Sequence, residues 1–126
     1  MLFARPVAYI DPAWGGSSGI YLAKLFQTLG IADAMTPKSV MVPGGVAAKT
    51  LLDGQADIGL QQISEIVVVP GVTLVGPLPP DIQNETVYAD VVGPGSAAPE
   101  AARAFLAIMA GLAARPVLAE RSMTTP

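Results

Sequence analysis

The residues with chemical potential sit in two glycine-rich turns. The first is Gly15-Gly16-Ser17-Ser18-Gly19, which fits the G-x-S-x-G pattern of a nucleophile elbow and lies between a β-rich run and a helical run. An elbow serine needs a base to take its proton, and the chain contains no histidine. Lys24, Lys38 and Lys49 are the only lysines, and nothing in the sequence places one beside Ser17. The Asp-Pro-Ala-Trp stretch at 11–14 also makes this turn longer than a tight elbow. Serine hydrolysis is therefore set aside. The same residues suit an anion cradle better. A helix start offers unpaired backbone N–H groups at the positive end of its dipole, glycines allow close approach, and serine hydroxyls add neutral donors. There is no Gly-Lys-Ser/Thr ending and no G-x-G-x-x-G, so nucleotide binding has little support. A plain capped helix after a loop accounts for the same spacing.

Pro43-Gly44-Gly45-Val46 repeats the arrangement of strand end, glycine pair and helix start. Two such helix starts would converge at the carboxyl edge of a parallel sheet, where open α/β sheets bind ligands. Gln61-Gln62 follows a third β-rich run and could add a side-chain amide, although strand alternation would turn one of the pair away. The candidate ligand-binding set is Ser17, Ser18, Gly44, Gly45 and Gln62. Asp11, Asp57 and Glu65 are the carboxylates nearest these loops, with Asp11 best explained by the turn before Pro12. Trp14 is read as a packing residue rather than a lid.

These turns need elements to position them. Pro6–Ile10, Ser39–Val42 and Ile58–Gln61 read as strands, as do Val72–Leu78 and Val87–Val92. Apolar residues at helical spacing predict a helix over Ile20–Leu29, capped by Ser17 or Ser18 and ended at Gly30. Further helices are expected at Val46–Leu52, for one turn at Ser64–Val67, at Pro99–Leu112 with Pro99 in first position, and at Val117–Arg121 after a break at Arg115-Pro116. Strands alternating with helices predict an α/β fold with a parallel sheet. A boundary is expected near Val68–Gly71, where the chain turns valine-rich, giving units of 1–68 and 69–126.

Composition narrows the function. The 126 residues are 52% hydrophobic and 13% charged, with a formal net charge of -3 and the basic residues scattered singly, which speaks against nucleic acid as a partner. With no cysteine and no histidine, thiol catalysis, thiolate metal sites and Ser-His triads are all out, and no cofactor motif is present. The Gly and Pro residues interrupt every apolar run before it reaches membrane-spanning length. The N-terminal Met-Leu-Phe-Ala-Arg-Pro lacks the apolar region of a secretory signal.

Tyr9–Gly30 (YIDPAWGGSSGIYLAKLFQTLG), Val42–Gly45 (VPGG), Ala56–Ile66 (ADIGLQQISEI) and Pro70–Ala89 (PGVTLVGPLPPDIQNETVYA) together resemble periplasmic substrate-binding proteins of the molybdate-binding, type II class. The resemblance implies a three-layer α/β fold. One lobe would be accompanied by the return segment that completes the other, within a chain about half the family's usual size. It implies a periplasmic, non-catalytic solute-binding component that delivers a small oxyanion such as molybdate to the permease of an ABC transporter. Ser18 and Gly44 fall where that family has backbone donors, and Gln62 falls where it has a tyrosine. Edges left uncovered by the missing half would favour a homodimer or higher oligomer. The alternative is an oligomeric remnant or interaction protein that no longer binds ligand.

Overall fold

A computed structural model describes residues 6–124. Its chain contacts divide it into two units, one ending at Asn84 and the other beginning at Glu85.

The first unit is built around β1 (Val7–Ile10), all four residues of which are buried. That is why its sequence is a continuous apolar run rather than an alternation: a central parallel strand is covered on both faces. β2 (Ser39–Val42) pairs with it in parallel, Val7 opposite Ser39 through Ile10 opposite Val42. β3 (Ile58–Gly59) pairs in parallel on its other side, giving the three-stranded order β2-β1-β3. Parallel neighbours require crossovers. α1 (Ser17–Thr28) and α2 (Ala32–Met35) lie in the first, α3 (Lys49–Leu52) in the second, and α4 (Ile63–Ile66) follows β3.

Side-chain alternation along β1 feeds two cores. Val7 and Tyr9 pack with Leu22, Leu25, Phe26 and Met35 on one face, and Ala8 and Ile10 pack with Ala47 and Ala56 on the other. The result is the α/β architecture expected from the sequence, a small parallel sheet between helical layers. In the larger core the rings of Tyr9 and Phe26 meet edge to face, with centroids 5.6 Å apart. The Tyr9 hydroxyl donates to Ser39 Oγ at 2.9 Å, which donates in turn to the Met35 carbonyl. Leu78 and Ile82 also cover this core, and Tyr21 donates its hydroxyl to the Ile82 carbonyl.

Several expected elements differ. The expected strand at Val72–Leu78 has no regular secondary structure and no ladder partner among the described residues, and the same holds for Val87–Val92 in the second unit. β-rich composition makes a strand only where a neighbour supplies hydrogen bonds, and Val75 and Val91 are about as exposed as side chains can be. β3 ends at Gly59, two residues earlier than expected. The helix expected over Val46–Leu52 is regular only from Lys49, preceded by turn.

In the second unit α5 (Pro99–Ala110) begins on its proline as expected. Arg115-Pro116 does not break a helix but opens α6 (Arg115–Glu120), since a proline is tolerated in a first turn. α5 leaves Phe105 and Ile108 exposed. No described helix is long and apolar enough to cross a membrane.

Candidate functional site

The sheet sets the site. Asp11 follows β1, and its amide donates to the Val42 carbonyl at 2.8 Å, so β1 and β2 end side by side. Asp11 also accepts from the Ala13 amide through Oδ1, which fixes the short turn at Pro12–Trp14 and accounts for this acid without a ligand. The chain then folds back so that α1 starts directly over the end of β1. A β-carbon at Gly19 would overlap the Ile10 carbonyl oxygen, so only glycine allows this approach.

Gly16 caps α1, not Ser17 or Ser18 as expected. The serines are the first two helical residues, and no side chain caps the turn. The amides of Ser17, Ser18 and Gly19 therefore have no acceptor within their own helix, and they stand at the positive end of a 12-residue dipole.

The facing wall is the turn after β2. Gly44 and Gly45 have φ of 142° and 79°, values that side chains with a β-carbon rarely adopt. Because α3 begins only at Lys49, this wall is a glycine turn and not a second helix start. Gln61 holds it in place: Nε2 donates to the Gly45 carbonyl at 3.0 Å, and Oε1 accepts from the Ala48 amide at 3.4 Å. Gln62 reaches the other wall, its Nε2 donating to Ser17 Oγ at 3.4 Å. Both glutamines serve the same region because they lie beyond the end of β3, where strand alternation no longer applies.

These walls border an open cavity of about 300 Å³, at the lower end of small-molecule sites. Ser17, Ser18, Gly44, Gly45 and Gln62 all line it, together with Ile10, Trp14 and Glu65. Trp14 is 70% exposed at this rim rather than packed inside, which corrects the packing role expected for it. Asp11 and Asp57 are not among the lining residues. Among the described residues neither lysine nor arginine lines the cavity, so the groups there that can hold an anion are neutral donors. Among the described residues no group of three or more acids could hold a metal ion. The features the sequence reading missed are the Gln61 clamp, hidden by the strand assignment, and the place of Glu65 on the wall. The position of Glu65 follows from α4 starting straight after Gln62.

Residues 3–123 match the family described as bacterial extracellular solute-binding protein. A protein from Pseudomonas sp. named aconitate isomerase is 37% identical over 108 residues, which are 85% of this chain and 40% of that relative. The chain thus spans about 40% of the length of the curated relative it matches. No solved structure matches it. The family match reaches solute-binding proteins as a class and does not extend to the molybdate type. The relative overturns two expectations, an oxyanion-binding component of an ABC transporter and a protein without enzymatic activity, because its name is that of an enzyme. Lack of histidine and cysteine removed nucleophile and metal chemistry from consideration. It did not remove proton transfer, which a carboxylate performs alone.

Proposed function

The chain belongs to the bacterial extracellular solute-binding proteins, and we propose that its cavity binds a small unsaturated polycarboxylate, of the aconitate class, as the substrate of an isomerase. The observation that carries this reading is the start of α1, where the two serines of the uncapped first turn, with their amides and hydroxyls, line a cavity that has no lysine or arginine among its described lining residues. One carboxylate of the acid accepts hydrogen bonds from the first turn of α1. A second lies against the Gly44-Gly45 turn and the Gln62 amide. A helix N-terminus contributes about 0.3–2 kcal/mol to a bound anion, so two or three carboxylates on different walls are needed for useful affinity. The 37% identity to a protein named aconitate isomerase supports this substrate class over an inorganic oxyanion. Family membership supports a location outside the cytoplasm, which we assign to the periplasm.

The test is a thermal-shift series of the purified chain against cis-aconitate, trans-aconitate, citrate, acetate and sulfate. A ligand at 100 times its dissociation constant adds about 2.7 kcal/mol of stability, several degrees for a domain of this size. The expected result is a rise with the aconitates that acetate and sulfate do not produce. No rise with either aconitate would overturn the reading.

A further inference from the structure

Among the described residues one titratable side chain stands on the cavity wall, Glu65 in α4. It is half-buried, and among the described residues its carboxylate has no hydrogen-bond or ion-pair partner. An acid in this place opposes the rest of the site. Every other polar side chain on the wall offers a donor to an anion, whereas Glu65 offers only acceptors while ionised. Binding alone would be better served by a glutamine. A carboxylate facing a polycarboxylate has a use only if the part of the ligand that meets it is a carbon-bound hydrogen.

We propose that Glu65 is the catalytic residue that carries the proton during isomerisation, an assignment that rests on the substrate class proposed above. In an unsaturated tricarboxylate the methylene carbon is both allylic and adjacent to a carboxylate, which acidifies its C–H bonds. The Glu65 carboxylate takes one methylene proton. The electron pair of that bond forms a new double bond to the central carbon, and the pair of the old double bond moves to the far carbon, delocalised into its carboxylate. Glu65, now a neutral acid, returns the proton to the far carbon and is again a carboxylate. One C–H bond breaks and one forms, the double bond moves by one position, and no oxidant, reductant or second substrate enters. The amides and hydroxyls at the start of α1 face the ligand while this negative charge spreads, which is where fixed donors act best.

The test uses the full chain with cis-aconitate in D2O. Proton NMR follows isomerisation and deuterium entry at carbon, and calorimetry measures binding of the same acid. Wild-type protein is expected to bind and isomerise. Glu65→Gln keeps the side-chain shape and removes the proton acceptor, so it is expected to bind as well or more tightly while isomerisation and exchange fall at least ~100-fold. Retained binding also shows that the variant is folded. Glu65→Asp is expected to recover part of the exchange. The assignment is overturned if Glu65→Gln exchanges at the wild-type rate, if it no longer binds, or if wild type binds without isomerising. Wild type that does not bind the acid at all overturns the substrate class instead.

Discussion

The α-carbon of Gly19 lies against the backbone carbonyl of Ile10, so close that a β-carbon there would overlap the oxygen. This contact joins the third residue of α1 to the last residue of β1. It brings the open first turn of the helix down onto the sheet edge, next to the turn that follows β2. The site is thus fixed by backbone packing as well as by side chains.

Gly19→Ala tests that contact. Alanine raises helix propensity by about 1 kcal/mol, whereas forcing a methyl group into filled space costs ~1–3 kcal/mol. Since the obstacle is backbone and cannot rotate away, the overlap is expected to win. Urea denaturation should show a net loss of up to about 2 kcal/mol, and affinity for aconitate should fall because the first turn moves off the cavity. A variant as stable as wild type would mean that the helix start shifts freely and does not fix the site.

Gln61 and Gln62 are adjacent and should behave differently. Gln61→Ala removes the bonds to the Gly45 carbonyl and the Ala48 amide, each worth roughly 0.5–1.5 kcal/mol net. It is expected to cost ~1–2 kcal/mol of stability and to weaken binding by loosening the glycine wall. Gln62→Ala loses a long bond of 3.4 Å to an exposed serine. Its stability loss should be the smaller of the two, about 1 kcal/mol or less, so a loss of affinity larger than that of Gln61→Ala reports on ligand contact. Denaturation midpoints and calorimetry on the two variants separate the roles. Equal stability losses would remove the distinction.

Much of the fold was legible because local pattern and tertiary context agree. The apolar run before Asp11 and the periodicity of the first helix each specify one local structure, and the structure adopts both; the glycines at 44 and 45 give the expected turn but not the helix start expected after it. Val72–Leu78 and Val87–Val92 show the opposite case. Their valines favour an extended backbone, but pairing is a property of the neighbour, and sequence composition carries no information about whether one is there. The cavity was legible in its two glycine turns and in Gln62, since turn residues announce where chain ends meet. Glu65 was less so. Among the described residues it has no partner and no cation beside it on the cavity wall, and both facts need the surrounding walls to be seen.

The same lack of cations predicts an unusual response to salt. A pocket built from lysine or arginine loses affinity for anions as salt rises, because screening weakens its long-range attraction. Here attraction comes from amides, hydroxyls and one helix end, which act at contact distance. The formal net charge of -3 and the Glu65 carboxylate repel a polycarboxylate from farther away. Salt shortens the Debye length from about 30 Å at 0.01 M to about 10 Å at 0.1 M, so it screens the repulsion more than the contacts. Calorimetric titration of trans-aconitate at these two salt levels should show affinity that holds or rises by up to a few-fold. A tenfold fall, about 1.4 kcal/mol, would mean that a cationic group holds the ligand and that binding takes place away from this cavity.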